Sequence, residues 1–309
     1  MNQNNSTDNY ADEIDLRDLF KIIWDKKLFI GTLTSIAAII SVIYALNMPN
    51  VYSSSSLLAP TSQDDSLSSK LGGLSGLAGL AGVNLPSGNI SNSQIAVKRI
   101  QSLEFFSTYF LPNIELENLM AVKRWLPNEN TLIYDEALYD KSSKKWVRKA
   151  SYPKKVKPSD QESFKEYKKL LDITQDELTG LVYISITHIS PIIAKEWLDI
   201  IIYNINESMR ELDKKDAQNA INFLNESTKT IKIQSIKEVL SRLLEAQMQT
   251  LMLASSNKSY VFKKINSPIV SEDKSGPNRS LICILGTLLG LILSLLIVFT
   301  QSFTRTSKS

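Results

Sequence analysis

Two unbroken apolar runs stand at the ends of the chain, and a patterned, largely polar stretch lies between them. Residues 28–46, "LFIGTLTSIAAIISVIYAL", hold no ionisable side chain except Tyr44, and residues 281–299, "LICILGTLLGLILSLLIVF", carry no charge. A helix of about 20 apolar residues, rising roughly 1.5 Å per residue, crosses the hydrocarbon core of a bilayer, so each run is predicted to span a membrane. The first is too long for the apolar core of a signal peptide, and no small-x-small cleavage site follows it. It is expected to stay attached as an anchor.

Between the runs the periodicity changes several times. "VYSSSSLLAP", bounded by Pro49 and Pro60, reads as a strand that alternates only at its apolar end. In "SQIAVKRIQSLEFFSTYFLP" the positions Ile95, Ile100, Leu103 and Phe106 have helical spacing, and Pro112 closes the run. "LTGLVYISITHISP" is the strongest strand pattern, with Val182, Ile184 and Ile186 on one side. It ends where Ser190 can cap a helix whose first turn holds Pro191. No proline then recurs until Pro268, and no glycine occurs between Gly180 and Gly276. Apolar positions such as Trp197, Ile201, Ile221, Leu224, Leu240, Leu244 and Leu251 recur at helical spacing, so residues 191–254 are predicted to be helical and extended. Either one helix on the order of 90 Å forms, or a break at "NESTKT", residues 225–230, gives two antiparallel helices. "SYVFKKI" then fits a short strand returning beside the one that starts at Val51.

Two stretches are compositionally unusual. Residues 71–88, "LGGLSGLAGLAGVNLPSG", interleave Gly72, Gly73, Gly76, Gly79 and Gly82 with leucine at every third position. Flexible linkers use Ser and Thr where this segment uses Leu, so it reads as a packing segment close to the membrane. Residues 125–158 are polar, and "KSSKKWVRKA" and "YPKKVKPSD" read as a hairpin and loop whose lysines form a solvated face.

Charge matters chiefly for topology. With 35 basic and 32 acidic residues the net charge is +3, too balanced to imply a nucleic-acid partner. Arg17, Lys21, Lys26 and Lys27 precede the first run, and no Lys or Arg follows it until Lys70. Basic residues accumulate on the cytoplasmic side, which places the N-terminus there and, with two spans, the C-terminus as well. The expected organisation is a cytoplasmic segment 1–27, a span 28–46, an outer domain 47–280, a span 281–299 and a cytoplasmic tail 300–309. The fold class expected is α+β: two membrane helices flanking an outer domain with a small membrane-proximal sheet and long helices. The single cysteine, Cys283, lies inside the second run, so the outer domain has no internal disulfide.

Candidate chemistry is sparse. His188 is the sole histidine, so no His-rich metal constellation can form. Cys283, in the membrane run, is no partner for it, and no Ser/His pairing is evident. His188 reads as a core or rim residue of its strand. There is no GxxxxGK[ST] for a nucleotide phosphate, and the S-x-x-K matches at Ser142, Ser255 and Ser271 are too short to inform. Glu226 and Glu238 sit among helix surface charges. The expectation is a binding or assembly protein, not an enzyme, with no cofactor and no metal. Trp125 and Trp146 are aromatics of the kind that stack on sugars, although packing in a core or interface is their commoner role.

In their order along the chain, "IDLRDLFKIIWDKKLFI", "VYSSSSLLAP", "GGLSGLAGLAG", "TGLVYISITHISP", "AINFLNESTKTIK" and "SPIVSEDKSGPNRSLICILGTLLGLIL" resemble the Wzz-type polysaccharide co-polymerases, the chain-length determinant proteins. That resemblance implies a multi-pass protein of the bacterial inner membrane with both termini cytoplasmic and its main domain periplasmic. It implies a homo-oligomeric ring with long helices projecting into the periplasm. It also implies a role in setting the modal length of O-antigen, capsule or exopolysaccharide made by a Wzy-type polymerase, so the expected partners are that polymerase, the growing chain and membrane lipid. The family's proline-rich approach to the second span is thin here, with Pro268 and Pro277 before Arg279. The glycine-rich segment resembles the branch that carries a cytoplasmic tyrosine kinase, but this chain holds no nucleotide motif, so that activity does not carry over. A periplasmic sensor signalling through a separate cytoplasmic partner is the alternative reading.

One motif in the second span makes a specific expectation possible. Gly286 and Gly290 form a G-x-x-x-G step, and small residues four apart let two membrane helices approach closely. Ser35, Ala38 and Ser41 are the expected matching surface on the first span.

Overall fold

The computed structural model describes residues 23–61, 91–230, 233–256 and 259–306; Gly72, Gly73, Gly76, Gly79, Gly82, Arg17 and Lys21 lie outside the described residues. Two units separate, one of residues 1–50 with 276–309 and one of residues 51–275. In chain order the helices are α1 (Lys27–Asn47), α2 (Asn92–Ile100), α3 (Leu103–Phe105), α4 (Leu116–Met120), α5 (Asp160–Leu170), α6 (Pro191–Thr230), α7 (Gln234–Ser256) and α8 (Arg279–Thr306). The strands are β1 (Tyr52–Pro60), β2 (Val122–Leu126), β3 (Thr131–Tyr134), β4 (Tyr139–Asp140), β5 (Lys145–Trp146), β6 (Leu171–Gln175), β7 (Val182–His188) and β8 (Phe262–Lys264).

The larger unit is built on a four-stranded sheet in the order β6-β7-β1-β8, every neighbouring pair antiparallel. Val182, Ile184 and Ile186 of β7 are fully buried, opposite Leu58, Ser56 and Ser54 of β1. Ser54 and Ser56 of β1 thus occupy the inner face, which explains why its sequence alternates poorly in hydrophobicity. Their hydroxyls are satisfied there: Ser54 donates to the Ile269 carbonyl at 2.8 Å and Ser56 to that of Asn266 at 2.6 Å.

The first turns of α6 supply the apolar layer over this sheet, with Trp197, Leu198, Ile201, Ile202, Ile205 and Met209 all buried in one cluster. A run of aromatic side chains completes it. Phe106 lies 5.1 Å and Phe110 4.8 Å from the Tyr167 ring, and Phe110 meets Trp197 edge-on at 5.7 Å, geometries in which ring quadrupoles attract. The helix pattern read around Ile95 and Leu103 needs correction. Those two side chains are partly exposed, while Ala96, Val97, Ile100, Phe105, Phe106 and Phe110 are buried. The reason is a break. Ser102 accepts the Phe105 N–H at 3.2 Å and restarts the helix, so the buried face before and after it follows two separate phases.

Helix α5 opens with a reciprocal cap, in which Ser159 accepts the Glu162 N–H and Glu162 accepts the Ser159 N–H. Arg148 donates to both Glu162 oxygens, at 2.6 and 3.2 Å, and this pairing holds the Glu162 carboxyl down to about 2. The same guanidinium donates to the carbonyls of Lys155 and Val156. Residues 148–156 are therefore tied to the helix that follows.

Helices α6 and α7 pack on each other as an antiparallel pair. The break between them lies after Thr230, later than the polar stretch 225–230, which stays helical. Thr228 bonds back to the Leu224 carbonyl and Lys229 pairs with Glu226 there, so polarity alone does not end a helix free of Gly and Pro. Buried or half-buried Ala217, Ile221, Leu224 and Thr228 on α6 face the α7 series Leu240, Leu244, Gln247, Leu251 and Ala254. Steps of four and three are the seam of a coiled coil.

Candidate functional site

Close packing between helices is the most specific feature of the described residues. Among the described residues no group of three or more His, Cys, Asp or Glu could hold a metal ion. His188 is 4% exposed, and its ring lies 4.8 Å from that of Trp197. Nδ1 accepts the Ser190 N–H and Nε2 lies 3.0 Å from the Asn118 carbonyl. An accepting Nδ1 requires the neutral ring with its proton on Nε2. Burial accordingly holds this imidazole below its ordinary pKa. The residue is a tie between the end of β7 and α4.

In the smaller unit α1 and α8 lie against each other, and most of their apolar surface faces away from the protein. Ile36, Ile39, Ile40, Ile43, Leu285, Leu288, Leu289 and Leu296 are all exposed. A core helix of a water-soluble domain would bury such residues; both helices are long and apolar enough to cross a membrane.

The contact between them is set by small residues. A Cβ added to Gly286 would stand 2.5 Å from the Ser41 Cβ, and one added to Gly290 would collide with the Ala37 Cβ. Rising numbers on α8 meet falling numbers on α1, so the two run antiparallel. On α8 the stripe continues through Ser294 and Val298, both buried, at the same step of four. On α1 it comprises Thr34, Ala37, Ser41 and Ala45, with Ala38 half-buried at its edge. Ser35 must be removed from the predicted surface, because it is exposed. Six residues along a helix turn about 600°, which leaves position 35 some 120° away from position 41. Positions 34, 37 and 45 are separated from 41 by seven or four residues and so share its face, which a strict 3.6 period would have identified.

Arg279, at the start of α8, closes the open end of the pair. Its Nη2 donates to the Met48 carbonyl at 3.3 Å and to Asn50 Oδ1 at 3.0 Å. Of the two connector prolines, Pro268 is buried within the larger unit and Pro277 is half-buried in the smaller.

A second feature, not singled out by the sequence pattern, is apolar exposure on the long helices. Tyr203 and Phe223 of α6 are 68% and 71% exposed, and Met252 of α7 is 71% exposed. Ile233, Ile236 and Val239 extend the same tendency around the turn. Each of these side chains leaves much of its surface uncovered within the protomer.

Residues 12–107 match the family model described as chain length determinant protein, Wzz. Among solved structures, a full-length bacterial polysaccharide co-polymerase is 12% identical, with 94% of this chain and 99% of that chain covered at a TM-score of 0.39. A fragment of WzzB, polysaccharide co-polymerase from Salmonella Typhimurium, is 14% identical, with 74% of this chain and 100% of that chain covered at a TM-score of 0.29. No curated protein matches the sequence.

Proposed function

We propose that this chain, matched over residues 12–107 by the chain length determinant family, is a polysaccharide co-polymerase of the bacterial inner membrane. It regulates the modal length of a surface polysaccharide built by a Wzy-type polymerase, and it does so by assembly, without catalysing a reaction itself. The family match carries the reading. Two apolar helices that expose lipid-compatible surface and pack through glycine support a membrane anchor. The basic residues before α1 favour cytoplasmic termini, with residues 47–280 in the periplasm.

Assembly into a homo-oligomeric ring follows from the same reading. The exposed apolar positions on α6 and α7 have few partners within one protomer, and a second copy would cover them. Electrophoresis of lipopolysaccharide and capsule from a deletion strain is the direct test. The expected result is polymer of abnormal length distribution with synthesis retained, restored by the wild-type gene. An unchanged ladder in the deletion strain refutes the proposal.

A further inference from the structure

Residues 144–157 form a dense basic run, with Lys144, Lys145, Arg148, Lys149, Lys154, Lys155 and Lys157 and no acidic residue between Asp140 and Asp160. Two of these charges are used by the fold. Arg148 is held by Glu162 and two carbonyls, and Lys154 stands 3.6 Å from Glu162. The other five lysines are exposed and form no ion pair with a described residue. Solvation alone would explain scattered lysines; five unpaired ones on a hairpin and loop pinned by Arg148 make a positioned cationic surface.

Beside this surface is an open cleft of about 610 Å³, whose wall includes Trp146, Lys144, Lys157, Glu115, Glu117 and Asp160. Lysines offer charge to an anion, carboxylates accept hydrogen bonds from hydroxyls, and the indole packs against the C–H face of a sugar ring. One ligand class presents all three complements.

We propose that residues 144–157 and this cleft bind an acidic polysaccharide, a chain bearing carboxylates together with free hydroxyls. The inference rests on the co-polymerase reading and names the chemistry of the polymer handled. A bare anionic surface, such as lipid headgroups without sugar, presents no hydroxyl to Glu115, Glu117 and Asp160 and no sugar ring to Trp146. A neutral glycan would leave five lysines unused.

The test uses the full chain in discs of phosphatidylcholine with three fluorescent probes: polygalacturonate, dextran and vesicles containing phosphatidylglycerol. Polygalacturonate is expected to bind with an affinity that falls steeply with salt, and dextran is not. Replacing Lys144, Lys145, Lys149, Lys155 and Lys157 by Gln should lower that affinity by roughly tenfold or more, since each exposed contact contributes modestly and the five add. Replacing Lys123, Lys165, Lys168, Lys169 and Lys263 by Gln changes net charge equally and should leave binding intact. Circular dichroism verifies that both variants are folded, and the triple variant Lys144→Gln, Lys145→Gln, Lys149→Gln should fall between wild type and the five-fold one. Equal loss in both five-fold variants, binding unaffected by either, or dextran bound as well as polygalacturonate overturns the proposal. Vesicle binding that depends on the five lysines, with polygalacturonate unbound, also overturns it and assigns the surface to a membrane. If polygalacturonate binding follows the five lysines while the deletion strain keeps its normal ladder, the cleft stands and the chain-length reading falls.

Discussion

Asn206 shows how much of this fold depends on single buried polar groups. It lies in the middle of α6, 8% exposed, and its Oδ1 accepts both the Val261 and the Phe262 N–H, at 2.8 and 2.9 Å. Its Nδ2 donates to the Ile202 carbonyl. One amide therefore ties the edge of the sheet to the long helix. Asn206→Leu removes the acceptor and strands two buried donors, each worth about 1–3 kcal/mol when unsatisfied. A loss of roughly 2–4 kcal/mol is expected from denaturant unfolding of the detergent-solubilised chain, and a loss under about 0.5 kcal/mol would show that water replaces the amide. His188 makes a pH-dependent counterpart. Its folded-state pKa is held below the ordinary value near 6.5, so on acidification the unfolded chain takes up the proton first. Its contribution is full above pH 6.5 and is lost as pH falls from there through the folded-state pKa. Unfolding midpoints at pH 7.5 and 5.5 should differ more in the wild type than in His188→Gln, whose amide does not titrate. Equal differences would mean that His188 takes up its proton over the same pH range in the folded and the unfolded chain. The sequence placed His188 in the core or rim of its strand but did not identify its partners. Asn206 is one polar residue among many on a helix, and Ser54 and Ser56 hide the alternation of β1 because their hydroxyl partners, the carbonyls of Ile269 and Asn266, lie more than 200 positions away.

Elements were more legible than contacts. The end helices, β1, β7, β8 and the pair α6 and α7 all follow from local hydrophobic period and from where Gly and Pro fall, which are properties of neighbouring residues. What failed depended on phase. Ile95 and Leu103 were assigned to one helix that Ser102 divides, and Ser35 was placed on a face that steps of three cannot maintain. Strand β6 and helix α5 were missed altogether, since "LDITQ" is short and half-buried and the helix before it exposes four charged positions against two buried ones. The contact between α1 and α8 allows a test that separates close approach from mere hydrophobicity. Gly286→Ala adds a methyl group to a space already occupied by the Ser41 Cβ, and overpacking of this kind costs about 1–3 kcal/mol. Ser41→Gly removes the opposing Cβ at the cost of one local bond from its Oγ to the Ala38 carbonyl. The double variant should recover most of the lost thermal stability, as should Gly290→Ala combined with Ala37→Gly. If neither pair rescues, the glycines do not act through this contact.

At the scale of the whole molecule the open question is what covers the apolar surface that one protomer leaves exposed. The lipid-facing side chains of α1 and α8 find their partner in a bilayer, but Tyr203, Phe223 and Met252 lie in the other unit, on a coiled-coil pair whose seam is already filled by other residues. Burying a large apolar side chain contributes about 1.5–3 kcal/mol, and the proposed ring would repeat each contact once per protomer. Phe223→Glu and Met252→Glu replace that gain by the cost of burying a charge. Each side chain makes little contact in the protomer, so folding stability should change by less than about 0.5 kcal/mol. The expected outcome is a chain that inserts and folds normally, runs as smaller species after chemical cross-linking in membranes, and gives a broadened polysaccharide ladder. The three readouts must move in this combination. Full-size cross-linked oligomers with an intact ladder would show that these residues are ordinary surface, and smaller species with an intact ladder would separate oligomer size from length control, because assembly would then be dispensable for the property it is proposed to set.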